Sequence, residues 1–205
     1  MKASRLTQIA KELKRHAPFT AFGALTGIMM LGVISLVELS PDISHKIFHI
    51  FHPTHIILSS LVTTAMYRQY GGSAWAAIPI GFVGSVGICS ISDIVLPHLG
   101  GTLLGAKVTF HVCLIEHPLL ITSSAFVGIA IGLLRPWTRV PHAGHILLST
   151  WASLFYLTAF GVADWVPLFP FVFLVLFVAV WIPCCVSDIV FPLLLTKRPT
   201  TSSLK

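Results

Sequence analysis

Four ligating side chains occur twice in this chain, in the same order and with the same local spacing. The first set is His52, His55, Cys89 and Asp93; the second is His142, His145, Cys184 and Asp188. Both follow H-x-x-H-I-[IL]-L-S and then C-x-x-S-D-I-V-[LF]-P, and the segments SDIVLP and SDIVFP differ only at Leu96 and Phe191. Between these matches the apolar residues have drifted freely, so the duplication keeps what can bind a cation. Imidazole nitrogen, thiolate sulfur and carboxylate oxygen are ligands of zinc or a similar first-row divalent ion, and four is the usual number. Residues three or four apart share a helical face, so each His pair and each Cys–Asp pair can point one way.

Further residues of the same chemistry lie nearby. His45, His49, His52 and His55 recur at helical spacing in SHKIFHIFHPTH, which suits capture of metal ions at an entrance. The next polar segment holds His98, His111, Cys113, Glu116 and His117, without the support of a repeat. His45, His49, Glu116 and His117 are therefore accessory candidates. A carboxylate in the last turn before Pro97 or Pro192 would face the negative end of its helix, unfavourable by ~0.3–1 kcal/mol unless a cation is near. The plainer readings are a Ser–Asp pair bonded to loosened helix-end groups, interfacial histidines, and packing cysteines such as Cys185. They account for each residue singly, but do not require the His pair and the Asp to be kept together.

The elements that must position these residues are membrane helices. With 55% hydrophobic and 10% charged residues among 205, and mean hydropathy +0.89, the chain has too little polar surface to cover a soluble globule. Its net charge of +6 sits at the ends of apolar runs, which points to lipid headgroups and not to nucleic acid. The fold class expected is an all-α integral membrane protein with six transmembrane helices, at about 17–37, 53–70, 74–97, 117–135, 143–163 and 166–195. The second is diluted by Ser59, Ser60, Thr63 and Thr64, and the last is interrupted by Pro167, Pro170 and Pro183. The first run ends without a small-residue cleavage site, so it reads as retained.

Residues 1–15 read as an interfacial amphipathic helix on the cytoplasmic leaflet. Six spans then place Arg68, Arg135, Arg139 and Lys197 on the same side as the N-terminus and leave Lys46 and Lys107 outside, an N-in/C-in arrangement that obeys the positive-inside rule. Residues 16–97 form one three-helix repeat and 117–195 the other. Residues 98–116 are an outer loop or re-entrant segment, and 196–205 a cytoplasmic tail. Three helices being odd, the second copy enters the membrane upside down, the inverted-repeat architecture of many transporters. His16 and Gly27 pair weakly with His117 and Gly128 as a further match.

The leading expectation is a transporter or permease for a divalent transition metal ion in the plasma (inner) membrane, with zinc or a similar ion as ligand or substrate. Its two sets bind the ion in turn, or meet near the midplane through broken helices. The stretches PDISH at 41–45, HPTH at 52–55 and SDIVLPHLGG at 92–101 loosely resemble the membrane-bound metal-dependent hydrolase family, and the resemblance implies a hydrolase with one metal centre. The His spacing departs from that family's pattern, and the second copy has no PDxxH counterpart. A third alternative is bis-His haem ligation in an electron-transfer subunit, and a fourth an accessory subunit in which the motif only packs. No Walker or dinucleotide motif is present, and the many small residues suit self-association as a homo-oligomer.

Overall fold

The computed structural model describes residues 5–134 and 139–195; within them the side chains of residues 5–9, 11, 12, 15, 139–143, 185, 188, 189, 192 and 193 are not described. The described chain is mostly helical. Helix α1 spans Arg5–Leu36, α2 Pro41–Gln69 and α3 Ala74–Leu103. After a two-residue strand β1, Lys107–Val108, come α4 (Cys113–Glu116), α5 (Pro118–Leu134) and α6 (Arg139–Phe160). Strand β2, Gly161–Val162, and a 3₁₀ turn at Val166–Leu168 lead into α7, Phe169–Cys185, and α8, Phe191–Leu194.

Local chemistry fixes the helix ends. Ser40 caps α2 by accepting from the Ile43 amide at 3.4 Å, Pro41 occupies the first turn and Asp42 complements the positive end of the helix. At the other end Gly71, at φ 81°, lets the Gly72 amide bond back to the Tyr67 carbonyl at 3.0 Å. Gly105, at φ 82°, does the same for α3, where the Ala106 amide reaches the Gly101 carbonyl at 3.0 Å. These caps displace two expected boundaries. Helix α2 starts at Pro41 and not near residue 53, so Pro53 lies inside it; α3 runs through Pro97 to Leu103. Asp93 is thus mid-helix, and the unfavourable dipole placement expected for it does not arise. Residues 5–15 continue into α1 without a break.

Polar groups lie inside and apolar ones outside. Ser59, Ser60, Thr63, Thr64, Ser92, Asp93, Ser149, Thr150 and Ser153 are buried, whereas Phe19, Phe22, Met29, Trp75, Leu119 and Phe171 are more than half exposed. Such a surface would be an aggregation hazard in water and suits a hydrocarbon surround. Three helices, His16–Leu36, Ala74–Leu103 and Val166–Cys184, are long and apolar enough to cross a membrane, and Pro118–Leu134 is a shorter apolar helix. The protein reads as a membrane protein on this ground. Helices α2 and α6, which carry buried Ser, Thr and His residues, form the central pair; α1 and α7 cover α6, and α5 and α3 cover α2.

Strands β1 and β2 pair antiparallel, Lys107 with Val162 and Val108 with Gly161. They tie the connection after α3 to the connection after α6, so these two lie at one end of the molecule.

Candidate metal centre

Helices α2 and α6, which carry the His pairs of the two motif copies, meet at the centre of the molecule. His55 lies about 21 Å along α2 from Pro41, at 1.5 Å per residue, and its ring centroid is 5.3 Å from that of His145 on α6. Ligand atoms of His55, His145 and Cys184 lie within 4.8 Å of one another, and all three residues are buried. The Cys89 sulfur is 3.7 Å from His55 Nε2. Residues from both copies of the motif therefore share one cluster.

Asp93 stands behind this cluster. Its Oδ2 accepts from His52 Nδ1 at 2.8 Å and His55 Nδ1 at 2.7 Å, and its Oδ1 accepts from Ser92 Oγ at 2.7 Å and Ser149 Oγ at 2.8 Å. Four donors saturate the carboxylate, which is fully buried. With Nδ1 committed to Asp93, each imidazole turns its Nε2 outward as a lone-pair donor, the arrangement by which carboxylates orient metal-binding histidines. His52 Nε2 is buried with no hydrogen-bond partner.

The backbone at both aspartates is unwound in the same way. Ile91–Val95 and Val186–Val190, the matched ISDIV and VSDIV segments, are π-helical turns, and a third π turn occupies Val83–Gly87. Single π turns inside α-helices are frequent at functional sites. Each of the two matched turns is held by the histidine helix of the other copy. Ser149 Oγ donates to Ser92 Oγ at 3.3 Å and Ser153 Oγ to the Ser92 carbonyl at 3.0 Å. Reciprocally, the Ser59 and Ser187 hydroxyls are 3.3 Å apart and Thr63 Oγ1 donates to the Ser187 carbonyl at 3.4 Å. Ser59 and Ser149 occupy the same place in HIILS and HILLS, and Thr63 and Ser153 lie one turn further. The first pair stands in the shared sequence pattern, though Ser59 reads there only as a residue that dilutes a span; the second carries no signal beyond the helical period.

The side chains of His142 and Asp188 lie outside the described residues, as does that of Cys185 and the whole of the tail at 196–205. The accessory residues gather at the end of the molecule where β1 and β2 pair. His45, His49 and His111 bring ligand atoms within 4.8 Å of one another, and the Cys113 sulfur lies 3.8 Å from His49 Nε2 and 3.6 Å from His111 Nε2. Glu116 accepts from His111 Nδ1 at 2.8 Å, and His117 packs T-shaped against His49, ring centroids 4.9 Å apart. His98 stands apart against Phe110. Burial lowers the His111 pKa against the opposing pull of Glu116. Burial also pushes the Cys113 thiol up to about 12, with the charges of Asp93 and Glu116 adding to the effect. No protein-family model, curated protein or solved structure matches this chain.

Proposed function

We propose that this protein is a transporter or channel-like permease for a divalent transition metal ion of the zinc class, with the ion as cargo held between its two halves. The observation that carries this reading is the buried His55–His145–Cys184 cluster, two of whose members come from the second half of the chain, with Asp93 fixing the His55 ring. Its donor set, two imidazoles and a thiol with Cys89 beside them, matches the ligand preference of such ions.

We take α1, α2, α3, α5, α6 and α7 as six spans in two inverted three-helix repeats, with both termini cytoplasmic and the β pair outside. Helices of 29 and 22 residues, α2 and α6, measure about 43 and 33 Å, enough for a hydrocarbon layer of about 30 Å. Their polarity is tolerable because other helices enclose them. The reciprocal serine and threonine bonds to Ser92 and Ser187 support the same reading. So does the packing of small residues: a Cβ on Gly128 or Gly132 of α5 would strike the Ile57 or Leu61 carbonyl of α2, and one on Gly23 of α1 would lie 2.9 Å from Thr150 Oγ1 and 3.7 Å from Leu147 of α6. Ile57 and Ser60 follow His55 as Leu147 and Thr150 follow His145, so the contacts of Gly23 parallel those of Gly128.

A metal-dependent hydrolase needs its ion open to substrate and water, and the complete burial of His55, His145 and Asp93 favours an occluded cargo site instead. The deciding experiment is Zn²⁺ uptake by proteoliposomes containing the purified chain, compared with His55→Ala and His145→Ala. Uptake above empty vesicles that both variants abolish is expected. Wild-type flux no greater than that of empty vesicles, or undiminished flux in both variants, would sink the proposal.

A further inference from the structure

The cluster at the outer end of α2 has the features of a second metal centre. His49 Nδ1 donates to the His45 carbonyl at 2.9 Å, because a carbonyl can only accept. His111 Nδ1 likewise donates to the Glu116 carboxylate at 2.8 Å. Both rings are thereby held in the tautomer that leaves Nε2 with its lone pair, and both Nε2 atoms face the same sulfur, that of buried Cys113. One thiol proton can satisfy only one of two imine nitrogens. The His45 ring closes the group, its centroid 4.2 Å from that of His49 and 5.7 Å from that of His111. The surroundings are fixed as well: Phe160 stacks on His111 at 4.4 Å, and the Tyr156 hydroxyl accepts from the His111 amide at 3.2 Å. A tight group of donors with two tautomers already set, and a carboxylate behind one ring, is what a bound cation would complete.

We infer that His45, His49, His111 and Cys113 form a separate site for a zinc-class divalent ion, with Glu116 as the residue that positions His111. Its four donors, three imidazoles and one thiolate, are of the types and number that zinc takes in tetrahedral sites. The site belongs to one helix face with the central cluster, since His45, His49, His52 and His55 follow each other along α2. Phe48 lies between them, stacked on His52 with ring centroids 5.3 Å apart and edge-on to His49 and His111. The unpartnered Nε2 of His52 occupies the interval between the two clusters. Ion binding at the outer site does not depend on the transport reading; its part as the entrance to the central site does.

The test is Co²⁺ titration of the full chain in detergent, read as bound ions per chain and as near-ultraviolet thiolate-to-cobalt absorbance. Cys113→Ser and His49→Ala should each lose one equivalent of Co²⁺, and Glu116→Gln should weaken that equivalent about 10–100-fold. His55→Ala with His145→Ala should retain it while losing the central ion. Unchanged stoichiometry in both Cys113→Ser and His49→Ala overturns the outer site and leaves the central one standing. Loss confined to the central equivalent in His55→Ala with His145→Ala leaves the outer site standing, whatever the transport assay shows.

Discussion

Asp93 illustrates how much a single residue's role depends on which of its neighbours donate to it. Its carboxylate takes four hydrogen bonds and aims two imidazoles, so it acts through those rings. Ser149→Ala removes one donor, from the other half of the chain, and leaves Ser92 in place. A hydrogen bond to a charged group contributes about 1.5–3 kcal/mol, so Zn²⁺ affinity should fall by about tenfold or more; isothermal titration would show this, and an unaltered affinity would mean that Asp93 does not need its second serine. Asp93→Ala strips both rings of their anchor and should also lower thermal stability by about 3–5 kcal/mol, the usual cost of breaking a buried charged network. The sequence displayed the ligating residues through their duplication, but not this division of labour. Spacing says which side chains share a helix face; it does not say which ring nitrogen faces the carboxylate, because that depends on partners from α3 and α6.

Helix boundaries were less legible than helix existence. Pro53 and Pro97 suggested a start and a stop, yet Ser40 with Pro41 caps α2 earlier and Gly105 ends α3 later. A proline inside a helix is tolerated where neighbouring helices and hydroxyl groups satisfy the freed backbone, and neither α2 nor α3 is isolated. The π turns were invisible, since one extra residue per turn leaves no compositional mark. Between elements, contact distance sets a sharp contrast among glycines. Gly128→Ala would drive a methyl group into the Ile57 carbonyl of α2, whereas a Cβ at Gly87 meets nothing within 4 Å. Thermal unfolding in detergent should show Gly128→Ala strongly destabilised and Gly87→Ala unchanged or slightly more stable, by about 0.5–1 kcal/mol from the lower backbone entropy of its unfolded chain. Equal melting temperatures for the two would contradict the close α2–α5 approach.

At the scale of the whole molecule, composition identified a membrane protein, and the inside-out distribution of polarity agrees with it. Among the described residues three helices are long and apolar enough to cross a membrane, while α2 and α6 carry the buried Ser, Thr and His residues and are enclosed by the others. The proposed topology makes a direct prediction: Lys107→Cys, on the exposed strand β1, should react with a membrane-impermeant maleimide on intact cells, and a tag after Lys205 should be reached only after permeabilisation. The reverse pattern would invert the chain and break the positive-inside rule.

The paired π turns have a further consequence, for chain length. Each inserts one residue beyond what an α-helix would use, so deleting one residue from Ile91–Val95 would restore the regular ladder and turn Leu96–Leu103 by about 100°. Gly100, whose missing Cβ makes room for Val175 of α7, would then swing off its partner, and Ser92 would leave the hydroxyls of Ser149 and Ser153. Substitutions around the aspartates can be absorbed one at a time, but the residue count between each cysteine and the end of its helix cannot. Insertions and deletions in one half are constrained by the other, as in a gear pair whose wheels must keep their tooth numbers.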